Sequence, residues 1–512
     1  PVEWAEYTEY NRQDVEAERA IYLLARHYPI PPAERAMWIL DQKINDRGLP
    51  IDTTLVDHAV SVDHTEKARL KQKMKDLTGL ANPNSTQQLI PWLEQHGLKM
   101  PNMQKATVEK ALKLEGLPED ARTALLLRQQ ISQTSTAKYA KVQQAQVQGR
   151  LRGVFQFAGA QRTQRWAGRL FQPHNMKRGY PDADTRAEML AVTDDRNFIE
   201  MMEGNVMDYL SNIMRTVITA PAGRTLSVYD FGSIESRVLG WLSGCGRINA
   251  LFANGMDSYK DFATEVYHVT YDEVTKPQRT FCKPPVLGCG YQLGGKGLVK
   301  YADGMGVTMT LEEASRLVEL WRSLYVEVVD MWEWLVDTCK TVIREGVSFE
   351  GYGVRIRRDT NYMIIDLPAG RSIYYYQPSV DLVVPPWEKE KQVEAGRQGE
   401  EYTPRRVPTI TYMGRNQYNN KWERISTHGG KITENIVQAV ARDLLRDAMI
   451  QMDQNNAEIV GHVHDEVIVE VDEQYGQAML EYMDYVMSQT PQWAGNLLLG
   501  AEGFNTKRYR KD

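Results

Sequence analysis

Cysteine is scarce in this chain: Cys245, Cys282, Cys289 and Cys339 are all that 512 residues contain, and none forms a CxxC pair. Four thiols cannot staple a chain of that length, so a disulfide framework and a zinc ribbon are excluded and reduced thiols are expected. Long hydrophobic runs are missing too. No stretch of about 18 apolar residues is present, and residues 1–30 lack a basic start followed by an apolar run, so neither a membrane span nor a secretory signal is expected. Internal repeats are absent. Hydrophobic content is 42% and charged content 25%, with 37 Gly and 22 Pro. These are ordinary globular proportions, which excludes fibrous, collagen-like and mainly disordered chains. At about 100–200 residues per domain, the length predicts roughly three domains or one domain with large lobes.

One further absence is local. Residues 121–180 contain no Asp or Glu but eleven Lys or Arg, from Arg122 and Arg128 through Lys138 to Arg178. The stretch carries +11 in a chain whose net charge is −6, so everything else carries −17. Gln is abundant there, and Phe155, Phe157, Trp166 and Phe171 are interleaved. Cations for phosphates, neutral polar support and rings for stacking predict a nucleic-acid track more readily than a solvated basic face.

Residues 1–30 predict a helix and its exit. An apolar helical pattern from Ala36 to Asp52 stops at "NDRGLPID", where Gly48 and Pro50 break it. Residues 53–149 predict a mostly helical lobe, with Ser85 as N-cap of a helix containing Leu89, Trp92 and Leu93. A capping box at Thr310 and Glu313 opens a long helix whose stripe, Leu317 to Leu335, is core packing. Residues 347–430 alternate like strands, and "EKEKQVEAGRQGEE" between them predicts a polar, mobile connection. Helical periodicity returns at 431–453, followed by a strand pair.

Three segments carry the chemistry. In "LSVYDFGSIESRVLGWLSG" a short strand ends at Asp230, Gly232 and Ser233 turn the chain, and Glu235 falls just inside the next helix. In "EIVGHVHDEVIVEV" two β-rich runs join through His464, Asp465 and Glu466, a hairpin with an acid at its tip. Alone, each Asp is most simply a turn former. Together they supply what phosphoryl transfer requires, two carboxylates on rigid elements able to hold a pair of Mg²⁺ ions about 3.5–4 Å apart. The third segment, "KPQRTFCKPPVLGCGYQLGG", repeats Arg279, Lys283, Leu287 and Tyr291 every four residues. On one helix these would line up as two cations for a triphosphate and an apolar end for base and sugar. Pro284 and Pro285 oppose an unbroken helix, so a kinked helix and a coincidental spacing both stay open.

These residues resemble DNA polymerase family A, the bacterial DNA polymerase I type, with wording nearest its bacteriophage branch. "YDFGSIESRVLGWLSG" is similar to the family's first palm motif, "RTFCKPPVLGCGY" to its fingers helix and "VHDEV" to its last palm motif. "RQQISQTSTAKY" looks like the thumb segment, "QRTQRWAGRLFQPHN" like the primer-template motif and "TENIVQAVARDLL" like the helix before the catalytic hairpin. Six motifs in the family's order make chance improbable.

The resemblance implies an α+β right-hand polymerase with an antiparallel-sheet palm and mostly helical thumb and fingers. Its parts would be 1–30 as an exonuclease remnant, 31–62 as palm base, 63–150 as thumb, 151–240 as first palm part, 241–345 as fingers and 346–512 as second palm part. Asp230 and Asp465 would hold two Mg²⁺ ions, with Mn²⁺ able to substitute, and Glu466 would support the site or the primer end. Arg279 and Lys283 would bind the triphosphate, with Leu287 beside its sugar, Tyr291 lining the insertion site and Glu235 opposing a ribose 2′-hydroxyl. Arg128 and Lys138 belong to the acid-free track, and Arg169, Gln438 and His464 would contact primer or template. Primer-template DNA and deoxynucleoside triphosphates are the implied partners of a monomer without membrane contact. The implied location is cytoplasmic, in the host for a phage-encoded chain. Leu287 where the family usually has Phe or Tyr, Gln292 where Gly is common, and the two prolines depart from the pattern.

"YNRQDVEAER" resembles the third motif of a 3′–5′ proofreading exonuclease, with Tyr10 and Asp14 in the matching places. The earlier acidic motifs would precede Pro1, so a chain lacking most of that domain, and without proofreading, is expected. The rival functions are another palm-class enzyme, a reverse transcriptase or single-subunit RNA polymerase, of which Glu235 argues against the RNA product, and a nucleic-acid-binding protein without catalysis, disfavoured by the two aspartates.

Overall fold

A computed structural model describes residues 2–27, 30–417 and 419–511; Pro1, Tyr28, Pro29, Tyr418 and Asp512, which the expected subdomain ranges include, lie outside the described residues. Val2–Ala25 is a helix with no buried residue. The helix Pro32–Arg47 ends where Gly48 takes φ 73°, and Leu49–Pro50 continues extended. From residue 53 to 145 the chain is helical between short connections: Thr53–Thr78, Thr86–Gln95, Lys105–Leu112, Glu119–Ile131 and Ala137–Ala145. Leu70, Met74, Leu89, Leu93 and Leu125 give much of this lobe a core of its own, separate from the main one. Ser85 stands at the predicted N-cap, but its side chain makes no capping bond.

Two antiparallel sheets organise the rest. Their strands are β1 (Arg224–Phe231), β2 (Phe349–Gly351), β3 (Val354–Asp359), β4 (Tyr362–Asp366), β5 (Ser372–Val383), β6 (Val407–Arg415), β7 (Trp422–Thr427), β8 (Ile459–Val463), β9 (Glu466–Asp472) and β10 (Ala501–Thr506). The four-stranded sheet has the order β8-β9-β1-β10 and the six-stranded sheet β7-β6-β5-β4-β3-β2. Short apolar runs bounded by turns suit strands buried on both faces, and β8 and most of β9 are buried accordingly. The helix Gly429–Gln454 packs beside the four-stranded sheet and is buried along most of its length. Its buried Asp443 accepts from Arg371 Nε at 2.6 Å, and Arg371 also donates to the Ala439 carbonyl and to Gln164. That cluster staples β5 to the helix and to residues 160–165. Helix and antiparallel sheet are thus combined as the α+β expectation requires.

Two expectations need correction. The stripe from Leu317 to Leu335 lies on two helices, Leu311–Leu324 and Val326–Glu345, because Tyr325 at φ −122°, ψ 53° interrupts the run. The capping box is present as expected. The segment expected to be a mobile connection contains a helix, Pro386–Gln398, closed by Gly399 at φ 76°. It is built from strong helix formers with a Glu388–Lys391 pair at 3.1 Å, so propensity without an apolar stripe was sufficient. The third segment takes the broken-helix alternative that the sequence left open. It splits into Lys276–Phe281, Lys283–Gly288 and a 3₁₀ turn, Cys289–Tyr291, since Pro284 and Pro285 have no N–H to continue the ladder.

Candidate active site

Asp230 and Glu466 are direct cross-strand partners of β1 and β9, so both side chains leave the same face. Asp465 is at the β8–β9 tip, reached through His464 at φ 60°, and its carbonyl accepts from Phe231 N–H at 3.2 Å. The sheet therefore brings together Asp230, Asp465 and Glu466, three of the acids that the sequence singled out. Burial, reinforced by the charge of Asp465, pushes the Asp230 carboxyl up to about 7. Glu466 is 2% exposed, and burial likewise pushes it up to about 7. Its Oε1 accepts from the Tyr509 hydroxyl at 2.6 Å, and that hydroxyl accepts from Arg215 at 2.9 Å.

A cation already sits against this cluster. Lys511 Nζ is 3.3 Å from Asp230 Oδ2 and 4.0 Å from Glu466 Oε2. Asp230 Oδ1 is buried without a hydrogen-bond partner. Among the described residues no three His, Cys, Asp or Glu side chains form a closed metal cage. Mg²⁺ does not demand one, because it keeps several waters and is commonly held by one or two carboxylates plus phosphate oxygens. An orphaned carboxylate oxygen, a neighbouring acid and an ammonium as stand-in fit a divalent ion.

The helix Ile234–Ser243 follows β1 after Ser233 at φ 53° and starts with Glu235 in its first turn. Glu235 is held from two sides: Tyr291 donates its hydroxyl to Oε2 at 2.8 Å, and Arg165 pairs with Oε1 at 2.8 Å. Burial and this carboxylate hold the Tyr291 phenol well above its ordinary pKa, so it stays a donor. Arg279 and Lys283 remain on one side of the broken helix, since both lie over the Tyr259 ring, at 5.0 and 5.9 Å. Arg279 is also bound to Asp257 at 2.6 Å. Leu287 is half-exposed at 36%.

His464 donates from Nε2 to the His174 carbonyl at 3.0 Å. Arg169 is exposed and Gln438 is half-buried on Gly429–Gln454. Arg128 and Lys138 line a cleft of 700 Å³ between the helical lobe and residues 175–214. Arg128 Nε is buried without a partner, while Lys138 reaches the Gln172 carbonyl at 3.3 Å. Sequence inspection missed Arg165, Tyr259, Tyr509 and Lys511. The run "KRYRK" after a strand-like segment was the available signal for the last two; Tyr259 carried none.

A mixed fold with an acid-bearing sheet between a helical lobe and a helix-borne cationic face is the architecture of a nucleotide polymerase. It matches the polymerase domain of Pol1 from M. smegmatis, solved in complex with DNA primer-template and dNTP, at TM-score 0.57 and 17% identity, covering 93% of this chain and 69% of that one. Residues 58–348 match the family described as DNA polymerase family A. The DNA polymerase of Bacillus phage SP02 is 34% identical over 517 residues, spanning 100% of this chain and 76% of that protein. DNA polymerase I of Aquifex aeolicus (strain VF5) is 34% identical over 107 residues, 21% of this chain and 19% of that protein. The chain belongs to DNA polymerase family A and is a DNA-directed DNA polymerase. No helix among the described residues is long and apolar enough to cross a membrane.

Proposed function

We propose that the enzyme extends a primer 3′ end on a DNA template by two-metal-ion phosphoryl transfer. The observation that carries this is the open pair Asp230 and Asp465 beside Glu466, with an orphaned oxygen on Asp230 and a cation at its other oxygen. Two Mg²⁺ ions there would lower the pKa of the primer hydroxyl and stabilise the charge on the leaving pyrophosphate. Asp230 and Asp465 would hold them, and Glu466, fixed by Tyr509, would keep the neighbouring charge in place. Lys511 would have to leave Asp230 for an ion to be held there. The primer 3′-oxygen attacks the α-phosphorus, and pyrophosphate departs toward Lys283 and Arg279, the latter exchanging Asp257 for phosphate. Tyr291 and Glu235 close the floor beneath the incoming sugar. Arg128 and Lys138 hold backbone phosphates in the cleft, and Arg169, Gln438 and His464 meet the primer or template near the junction. The subdomain ranges given above are proposed on the same footing, as is a monomer working in the cytoplasm.

Asp465→Asn keeps the shape and removes the charge. Primer extension with Mg²⁺ should be abolished while primer-template affinity stays within about two-fold, because only transition-state stabilisation is lost. A retained extension rate sinks the metal assignment. We propose further that this chain does not degrade primers 3′ to 5′. Tyr10 and Asp14 stand on an exposed helix with no buried residue, so among the described residues nothing surrounds them that could exclude water or hold a primer end. Primer shortening by the purified chain, lost on Asp14→Ala, would overturn that.

A further inference from the structure

The six-stranded sheet buries one face and leaves part of the other open, although Ile364, the cross-strand partner of Tyr374 on that second face, is covered. Met363, Ile365, Ile373 and Tyr375 point into the core. Tyr362 and Tyr376 are direct cross-strand partners, and Tyr374 lies two residues from Tyr376 on the same side. With Trp422 of β7 they make a continuous row, with ring centroids 5.9 Å apart for Tyr374–Tyr362, 5.2 Å for Tyr362–Tyr376 and 6.2 Å for Tyr376–Trp422. Tyr362, Tyr374 and Trp422 are 37%, 47% and 60% exposed. A groove of 360 Å³ runs over them, bounded by Gln161, Arg162 and Met413. We propose that this row is a stacking platform for the single-stranded template ahead of the insertion site.

The chemistry favours an unpaired strand. Exposed ring faces accept any base, whereas duplex DNA hides its base faces and a folded protein partner would want an apolar pocket. Cations flank the rings. Arg162 lies 4.6 and 4.4 Å from the buried rings of Tyr375 and Tyr412 on the core side of the sheet, reaches the edge of the groove where it donates to the Tyr374 carbonyl, and has no carboxylate partner among the described residues. Arg415 is the register partner of Trp422 and is exposed. Of the nearby carboxylates, Asp366 is engaged by Arg357 at 2.7 Å and Asp381 by Thr411 and Ser379, while Asp359, the exposed register partner of Tyr362, accepts from the Thr360 hydroxyl at 3.1 Å. The position favours the template. Arg162 and Arg165 share one tight loop, closed by Ala160 N–H on the Arg165 carbonyl at 2.9 Å, and Arg165 binds Glu235. Three residues of backbone span at most about 11 Å, so one short loop carries both the arginine beside the row and the arginine that holds Glu235. The platform rests on the polymerase assignment of that site.

The test is equilibrium binding of the full chain to primer-templates of identical duplex. One has a single-nucleotide 5′ template overhang, one an overhang of about eight nucleotides, and one the short overhang plus an equally long unpaired flap on the other strand. Wild type should bind the long overhang at least about five-fold more tightly than the short one. Tyr374→Ala combined with Trp422→Ala should erase that difference and leave binding and extension of the short-overhang substrate unchanged, while Trp422→Phe keeps it. No preference in wild type, equal losses on long and short overhangs, or a loss confined to the flap substrate overturns the platform. Wild type that fails to extend the short-overhang substrate with Mg²⁺ would instead overturn the polymerase assignment.

Discussion

Asp230 and Glu466 are carboxylates that the fold prefers protonated, each pushed up to about 7 by burial against an ordinary value near 4. A raised carboxylate has the sign opposite to that of a salt-bridged one: the folded state is favoured fully below the unfolded pKa, and that advantage is lost as pH rises through about 7. Metal-free protein should therefore lose melting temperature relative to Asp230→Asn between pH 5 and pH 8. Melting curves of both proteins in chelator decide this, and parallel pH profiles would refute it. Adding Mg²⁺ at pH 8 should raise the wild-type melting temperature more than that of the variant, because the ion binds the ionised form. Glu235 gives a second prediction. Held by Tyr291 and Arg165, it cannot swing away from an added 2′-hydroxyl, so Glu235→Ala should raise ribonucleotide use relative to deoxynucleotide use about ten-fold or more. Leu287 offers no phenolic hydroxyl in place of a missing 3′-hydroxyl, so Leu287→Tyr should improve dideoxynucleotide incorporation. Single-nucleotide incorporation ratios check both; unchanged ratios would remove these residues from the sugar.

At the scale of elements, the site depends on how closely the helix Gly429–Gln454 approaches the Tyr291 turn. A Cβ on Gly430 would stand 2.2 Å from the Tyr291 carbonyl oxygen, and backbone cannot give way as a side-chain tip can. Gly430→Ala should cost about 1–3 kcal/mol of stability and raise the KM for nucleotide by shifting Tyr291. Gly304→Ala meets nothing within 4 Å and should be neutral or slightly stabilising in the same thermal and kinetic assays. Legibility followed the strength of local signals. β1 and the β8–β9 hairpin were readable because short apolar runs ended at turn residues. The helix Pro386–Gln398 was misread because it is polar on every side and leaves no periodicity. The break at Tyr325 was invisible because tyrosine is no helix breaker and the apolar stripe runs straight across it. The split at Pro284 and Pro285 was signalled, yet only the fold could show that Arg279 and Lys283 still share Tyr259.

For the whole molecule, charge and shape meet in the 700 Å³ cleft, where Arg128 and Lys138 face residues 175–214. DNA affinity should fall linearly on a log–log salt plot, by about 0.9 per phosphate neutralised. Replacing both residues by Gln should flatten that slope by nearly two contacts without altering sequence preference, since phosphate contacts position rather than specify. An unchanged slope would place the DNA elsewhere. Lys511 and Tyr509 were hidden from sequence inspection for a related reason, since their roles exist only once distant segments have closed on each other. The same closure bears on how the molecule is born. β1 pairs on one side with β9 and on the other with β10, both more than 200 residues later in the chain. Contacts of such separation form slowly, and synthesis proceeds at about 5–20 residues per second. For ten seconds or more at that rate, Asp230 waits on the ribosome with both edges of its strand unpaired, so a chaperone that shields β1 during that interval should raise the yield of active enzyme more than one acting after release.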